Sequence, residues 1–141
     1  MSLKKNIIAL RQKKAIVEKG GGDKALEKQM AMGKMPARVR ILALLDEGSF
    51  HEYDMFVEHE EQNFGMANKE LPAEGVITGT GTINGAPVCI YAQDFTVMGG
   101  SLGLKHARKI TKIMDHALKM KIPCIGINDS GGARIQEGIG A

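Results

Sequence analysis

The sequence predicts a layered α/β domain. Three observations carry this reading: a β-hairpin signal near the middle, a long amphipathic helix after it, and an apolar strand that runs into a glycine turn. Together they give the order ββαβ. The chain has 141 residues, about one domain by length and enough for a real core. Hydrophobic residues make up 43% and charged residues 25%, an ordinary globular balance. Aromatic content is only 4%, with no Trp, so aliphatic side chains and nine Met must fill the core.

The chain begins with helices. Leu3, Ile7, Leu10 and Lys14 follow helical spacing, predicting a helix from Leu3 to Lys19. Lys4, Lys5, Arg11 and Lys13 surround that stripe and suit a solvated face or a phosphate-binding surface. Gly20, Gly21 and Gly22 end it. Asp23 is a good N-cap for a second helix to about Met32, which Gly33 stops. Pro36 suits the start of a third, Ala37 to about Leu45, with Val39, Leu42, Ala43 and Leu45 facing a core. Arg38 and Arg40 lie near its N-terminal end, where the helix dipole disfavours cations. An anionic partner or simple solvent exposure accounts for them. Residues 1–48 thus form a helical lead-in and 49–141 a core region.

Ser49 to Val57 reads as extended, and the polar stretch after it as loop. His51 and His59 lack metal-ligand spacing, so no metal site is expected. Val76 to Ile83 is rich in β-branched residues, Asn84-Gly85 is a favoured two-residue turn, and Pro87 to Ala92 returns as a second strand. Gly79 and Gly81 within the first strand suggest a bulge or close packing. After the glycine-ended loop Gln93–Gly100, Ser101 is a candidate cap for a helix to about Lys119. Ala107, Ile110, Ile113, Met114, Ala117 and Leu118 form its expected apolar stripe, with Lys105, Arg108, Lys109 and Lys112 mainly on other faces. His106 and His116 read as solvent-facing or packing residues.

The last stretch organises the rest. Ile122 to Asn128 predicts a short buried strand, Asp129 to Ala133 a glycine loop, and Arg134 the start of another helix. Gly131 and Gly132 permit positive φ and close approach to the main chain, and a helix start offers free N–H groups. Such a corner suits an oxyanion or phosphate, or serves as a plain structural turn. Cys89 and Cys124 sit in apolar runs outside any C-x-x-C pair and read as buried free thiols of a reducing compartment. A net charge of +3 is too mild to argue for nucleic acid. Without a span-length apolar run or a signal-peptide core, a cytoplasmic location is expected. The sequence stops just inside its last predicted helix and reads as a fragment.

Several segments together resemble the biotin-dependent acyl-CoA carboxyltransferases. They are Asp129-Ser-Gly-Gly-Ala-Arg-Ile-Gln-Glu-Gly138, Gln93-Asp-Phe-Thr-Val-Met-Gly-Gly-Ser101, Lys112-Ile-Met-Asp115, Gly33-Lys-Met-Pro-Ala-Arg-Val-Arg-Ile41 and Leu44-Leu-Asp-Glu-Gly-Ser-Phe50. The nearest types are propionyl- or methylmalonyl-CoA carboxylase β subunits, transcarboxylase, and the α subunit of sodium-pumping decarboxylases. The resemblance implies a crotonase-like fold of ββα units, here the truncated N-terminal part of a carboxyltransferase N-domain. It implies carboxyl transfer between carboxybiotin, on a separate carrier protein or domain, and the α-carbon of a short acyl-CoA such as propionyl-CoA. No metal is implied in this chain.

By the same resemblance, the Ala133 N–H is one donor of the oxyanion hole for the acyl-CoA oxygen. Gly131 and Gly132 keep the surface bare. Arg134 either orients the loop or approaches CoA phosphate, and Arg38 and Arg40 match basic positions that extend to a CoA-phosphate contact. Expected partners are acyl-CoA, a biotin carboxyl carrier, biotin carboxylase or membrane decarboxylase subunits, and further copies of the whole protein. The family's second oxyanion donor and C-terminal domain lie outside these residues, so the chain alone is expected to turn over little. A decarboxylase α subunit and a non-catalytic CoA-binding module are the alternatives. Met35, Pro36 and Val39 depart from residues common in the family, which touches the third helix's capping more than the chemistry.

Overall fold

The computed structural model describes residues 2–141. Helices α1 (Leu3–Glu18), α2 (Asp23–Ala31) and α3 (Ala37–Leu44) precede strand β1 (His51–Tyr53), the hairpin β2 (Val76–Ile83) and β3 (Ala86–Gln93), helix α4 (Leu104–Met120) and strand β4 (Cys124–Ile127). Short 3-10 turns occupy Pro72–Gly75, Met98–Gly100 and Ile135–Gly140. The sheet order is β1-β2-β3-β4. β1, β2 and β3 pair antiparallel, while β4 lies parallel to β3 after the α4 crossover. This is the ββαβ order expected.

The hairpin forms as its turn chemistry dictates. Asn84 and Gly85 have φ 49° and 80°, the doubly positive pattern that matches strand twist. Register runs unbroken from Val76 opposite Gln93 to Ile83 opposite Ala86. There is no bulge, and the strand glycines serve close packing instead. A Cβ on Gly79 would strike the His51 carbonyl, and one on Gly81 would lie 2.6 Å from a Leu45 methyl.

The alternation of β3 makes the layers. Val88, Ile90 and Ala92 pack with Ala37, Ile41 and Leu45, so α3 covers one face. Cys89 packs with Ile113 and Ala117, so α4 covers the other. Burying a side chain such as Ile113, only 2% exposed, contributes about 2 kcal/mol.

Several expectations are corrected. Val39 and Leu42 are exposed, because α3 turns the Ala37–Ile41–Leu45 line inward. Pro36 and Gly22 are the caps of α3 and α2, so Pro36 precedes the first turn and Asp23 lies inside its helix. Of α1 only Val17 is buried. The helix is held at its glycine end, where Gly21 donates to Thr96 Oγ1 (3.0 Å). Only residues 51–53 of the extended stretch pair as strand. On α4 the inward residues are His106, Lys109, Ile113 and Ala117, while Met114 and Leu118 face out. Gly103 is that helix's cap, not Ser101. β4 is shorter than expected and half-exposed, since it pairs on one side only; Cys124 is exposed while Cys89 opposite it is buried. No α-helix follows the glycine loop. The 3-10 turn there buries nothing and breaks at Gly138 (φ 60°), so the expected helix-dipole contribution does not apply.

Candidate functional site

The glycine corner is built from two segments, 98–102 and 129–134. Gly131 N–H donates to Gly99 O (2.9 Å), Leu102 N–H to Gly132 O (2.8 Å), and Arg134 N–H to Leu102 O (2.8 Å). Leu102 and Ala133 thereby form an isolated parallel bridge. In extended backbone, successive peptide groups point to opposite sides. Gly132 O and Arg134 N face Leu102, so the Ala133 N–H faces away from it. That N–H has no acceptor among the described residues, and Ala133 is exposed. The Gly132 N–H, in contrast, is taken by Ser130 Oγ (3.1 Å). Gly132 has φ 114°, a conformation that side chains disfavour, and nothing lies within 4 Å of a Cβ placed there. Of the amides at 131–134, Ala133's alone is free for an incoming oxygen.

Arg134 is fully buried. Its Nε donates to Ser101 Oγ (3.3 Å) and Nη2 to Ser101 O (3.0 Å) and Glu74 O (3.4 Å). Nη1 donates to Glu137 Oε1 (2.9 Å) and to Glu74 Oε1. Guanidinium has five N–H donors, and each has an acceptor inside the fold. This geometry lets Arg134 orient the loop and leaves no donor free for a CoA phosphate.

Glu74 reaches Arg134 from a left-handed turn. Ala73, Glu74 and Gly75 have φ 51°, 59° and 69°. Left-handed geometry costs about 1–2 kcal/mol for each non-glycine residue, and buried polar contacts hold it. Lys109 Nζ donates to Ala73 O and Val76 O, both at 2.6 Å. His106 Nδ1 lies 2.8 Å from Glu74 O, and since a carbonyl only accepts, Nδ1 carries the proton. His106 Nε2 then accepts from Gln93 Nε2 (3.2 Å), whose Oε1 accepts the Asp129 N–H (3.2 Å). The network therefore reaches the start of the glycine loop.

Burial dominates its electrostatics. It holds His106 neutral, down to about 4, and lowers Lys109 to about 8. Burial also raises the Glu74 carboxyl, against the pull of Arg134.

Arg40 approaches the corner through Asp129, at 3.3 Å, where Lys34 also binds at 2.8 Å. Arg38 does not join. Its guanidinium is taken by a two-pronged pair with Glu52, at 2.6 and 3.0 Å. A hollow of about 400 Å³ beside α4, lined by Tyr53, Arg108, Lys112 and His116, shares no residue with the corner. Glu74, Ser101, Gln93, His106 and Lys109 were missed as site supports. The signal for the helix pair was their i, i+3 spacing in line with Ile113 and Ala117. For Glu74 no local signal exists.

Frame and corner define a crotonase-like α/β protein that offers a main-chain donor at a strand exit. Comparison with known proteins gives the family. The carboxyl transferase domain model matches residues 28–141, and the chain belongs to that family. It is 56% identical over 140 residues to methylmalonyl-CoA decarboxylase subunit alpha of Veillonella parvula, covering 99% of this chain and 28% of that protein. It is 55% identical over 130 residues to the propionyl-CoA carboxylase beta chain of Cereibacter sphaeroides, covering 92% of this chain and 26% of the relative. Among solved structures, transcarboxylase 12S with methylmalonyl-coenzyme A and methylmalonic acid bound superposes with TM-score 0.97 at 45% identity, over 99% of this chain and 27% of that one. The chain thus spans about a quarter of the length of the relatives it matches.

Proposed function

We propose that this chain forms the acyl-CoA corner of a biotin-dependent carboxyltransferase, one that moves a carboxyl group to or from the α-carbon of a short acyl-CoA such as propionyl-CoA. The observation that carries the reading is the exposed, unpaired Ala133 N–H. When the α-carbon becomes enolate-like, negative charge develops on the thioester oxygen. A fixed amide donor there lowers the barrier, and losing one such donor typically costs about 3–4 kcal/mol. The bare Gly131–Gly132 surface lets the thioester approach. Carboxybiotin, on a separate carrier, supplies the carboxyl group. The chain's own part is to hold charge with its main chain; His106 is sealed by Glu74 and Gln93 and is no free base.

A second reading, decarboxylase α subunit, is favoured by the 56% identity to the Veillonella protein. It uses the same corner with transfer running from methylmalonyl-CoA to biotin. Carboxyl-labelled methylmalonyl-CoA incubated with the complete gene product and a biotinylated carrier tests both. Label should pass to the carrier and on to propionyl-CoA. Release of the label as carbon dioxide once membrane decarboxylase subunits are added supports the decarboxylase. CoA binding with no transfer in either direction rejects both and leaves a binding module.

A further inference from the structure

The buried cluster around Glu74 has no part in the chemistry just described, yet it lies behind the donor. We infer that Glu74 is a positioning residue: through Arg134 it sets the direction of the Ala133 amide. The inference rests on the carboxyltransferase reading and deepens it.

The geometry is a chain of fixed contacts. Glu74 is fully buried, and its Oε2 has no partner within the described residues, so its only side-chain bond is the one from Oε1 to Arg134. Its carbonyl also accepts from Arg134. Arg134 in turn holds Ser101 by two contacts, and the neighbouring Leu102 holds Gly132 O and Arg134 N on either side of Ala133. Glu137 shares Arg134 Nη1 and accepts the Leu104 N–H (2.8 Å) at the start of α4. Turn, corner and helix start are thereby locked to one guanidinium.

A buried ion pair is a weak contributor to net stability, because desolvation offsets its attraction. What it supplies is direction. Here the anion comes from a residue 60 positions away, presented by a turn of unfavourable backbone geometry. If Glu74 is altered, Arg134 loses its innermost anchor and the two bonds flanking Ala133 loosen together. Arg134 has no donor left for a CoA phosphate, so affinity and turnover should separate.

The test uses the complete gene product. Carboxyl transfer, CoA affinity and thermal unfolding are measured for wild type, Glu74→Gln and Glu74→Asp. Glu74→Gln keeps the shape and removes the charge. Glu74→Asp keeps the charge and draws it back by one methylene. The expected result is kcat down about tenfold in Glu74→Gln and about threefold in Glu74→Asp, with KM and CoA affinity within about twofold. Folded variants with wild-type kcat, or with kcat and CoA affinity lost in proportion, overturn the inference. If Glu74→Gln does not fold, Glu74→Asp decides by the same limits. Failure of both to fold assigns Glu74 to folding alone and also overturns it. An inactive wild type sinks the carboxyltransferase reading and this inference together, whereas an active wild type with unaffected variants sinks this inference alone.

Discussion

Arg134→Met removes the cation on which the buried cluster converges. Met fills part of the same volume and carries no donor. Glu74 Oε1 then loses its partner, and Oε2 already has none. Glu137 keeps the Leu104 N–H, so its loss is smaller. Removing one member of a buried ion pair costs about 3–5 kcal/mol, a large share of the roughly 5–15 kcal/mol that stabilises a typical domain. With a urea slope of about 1–3 kcal/mol per molar, the midpoint should fall by roughly 1–5 M. Circular dichroism during urea unfolding reads this. The deficit should also depend on pH. In the variant, burial raises the folded Glu74 pKa above its ordinary 4.5 with no cation to oppose it. A carboxyl raised in the folded state contributes most when protonated, so stability relative to wild type recovers as pH falls from 8 to 5. A loss under about 1 kcal/mol, or a deficit equal at both pH values, would refute the reasoning.

Two further outcomes are expected. His106 is neutral when folded, with its pKa lowered from 6.5 to about 4. The unfolded chain therefore binds the extra proton, and stability is lost as pH falls through that window, by about 3 kcal/mol in full. His106→Asn, which keeps a donor near Nδ1, should flatten this slope in urea titrations between pH 7 and 4.5; an unchanged slope counts against burial as its cause. Gly100→Ala should cost about 2–3 kcal/mol. Gly100 has φ 60°, and a Cβ there would collide with the Asp129 carbonyl. Thermal unfolding checks it, and a loss below about 0.5 kcal/mol rejects the contact as rigid.

The parts of the fold legible in sequence were those fixed by neighbours in sequence. Asn84-Gly85 set the hairpin because its turn geometry needs only those two residues. The order ββαβ followed from periodicity. The packed face of α4 did not, because polar His106 and Lys109 occupy it, and their acceptors at residues 73–76 lie more than thirty positions earlier. The helix expected to start at Arg134 does not form, and among the described residues no partner surface covers Ile135 or Ile139, which are 79% and 107% exposed. Resemblance pointed to Ala133. The outward turn that Leu102 gives the Ala133 amide, and the occupation of Arg38 and Arg134 within the fold, depend on contacts distant in sequence.

The bridge between Leu102 and Ala133 makes the ten-residue motif a poor candidate for transplantation. Excised as a peptide or grafted onto a foreign scaffold, residues 129–138 would carry their glycines but not the bond that orients them. A designer would have to move the 98–102 segment and the turn at 73–75 as well, since the working geometry is shared among three stretches of chain.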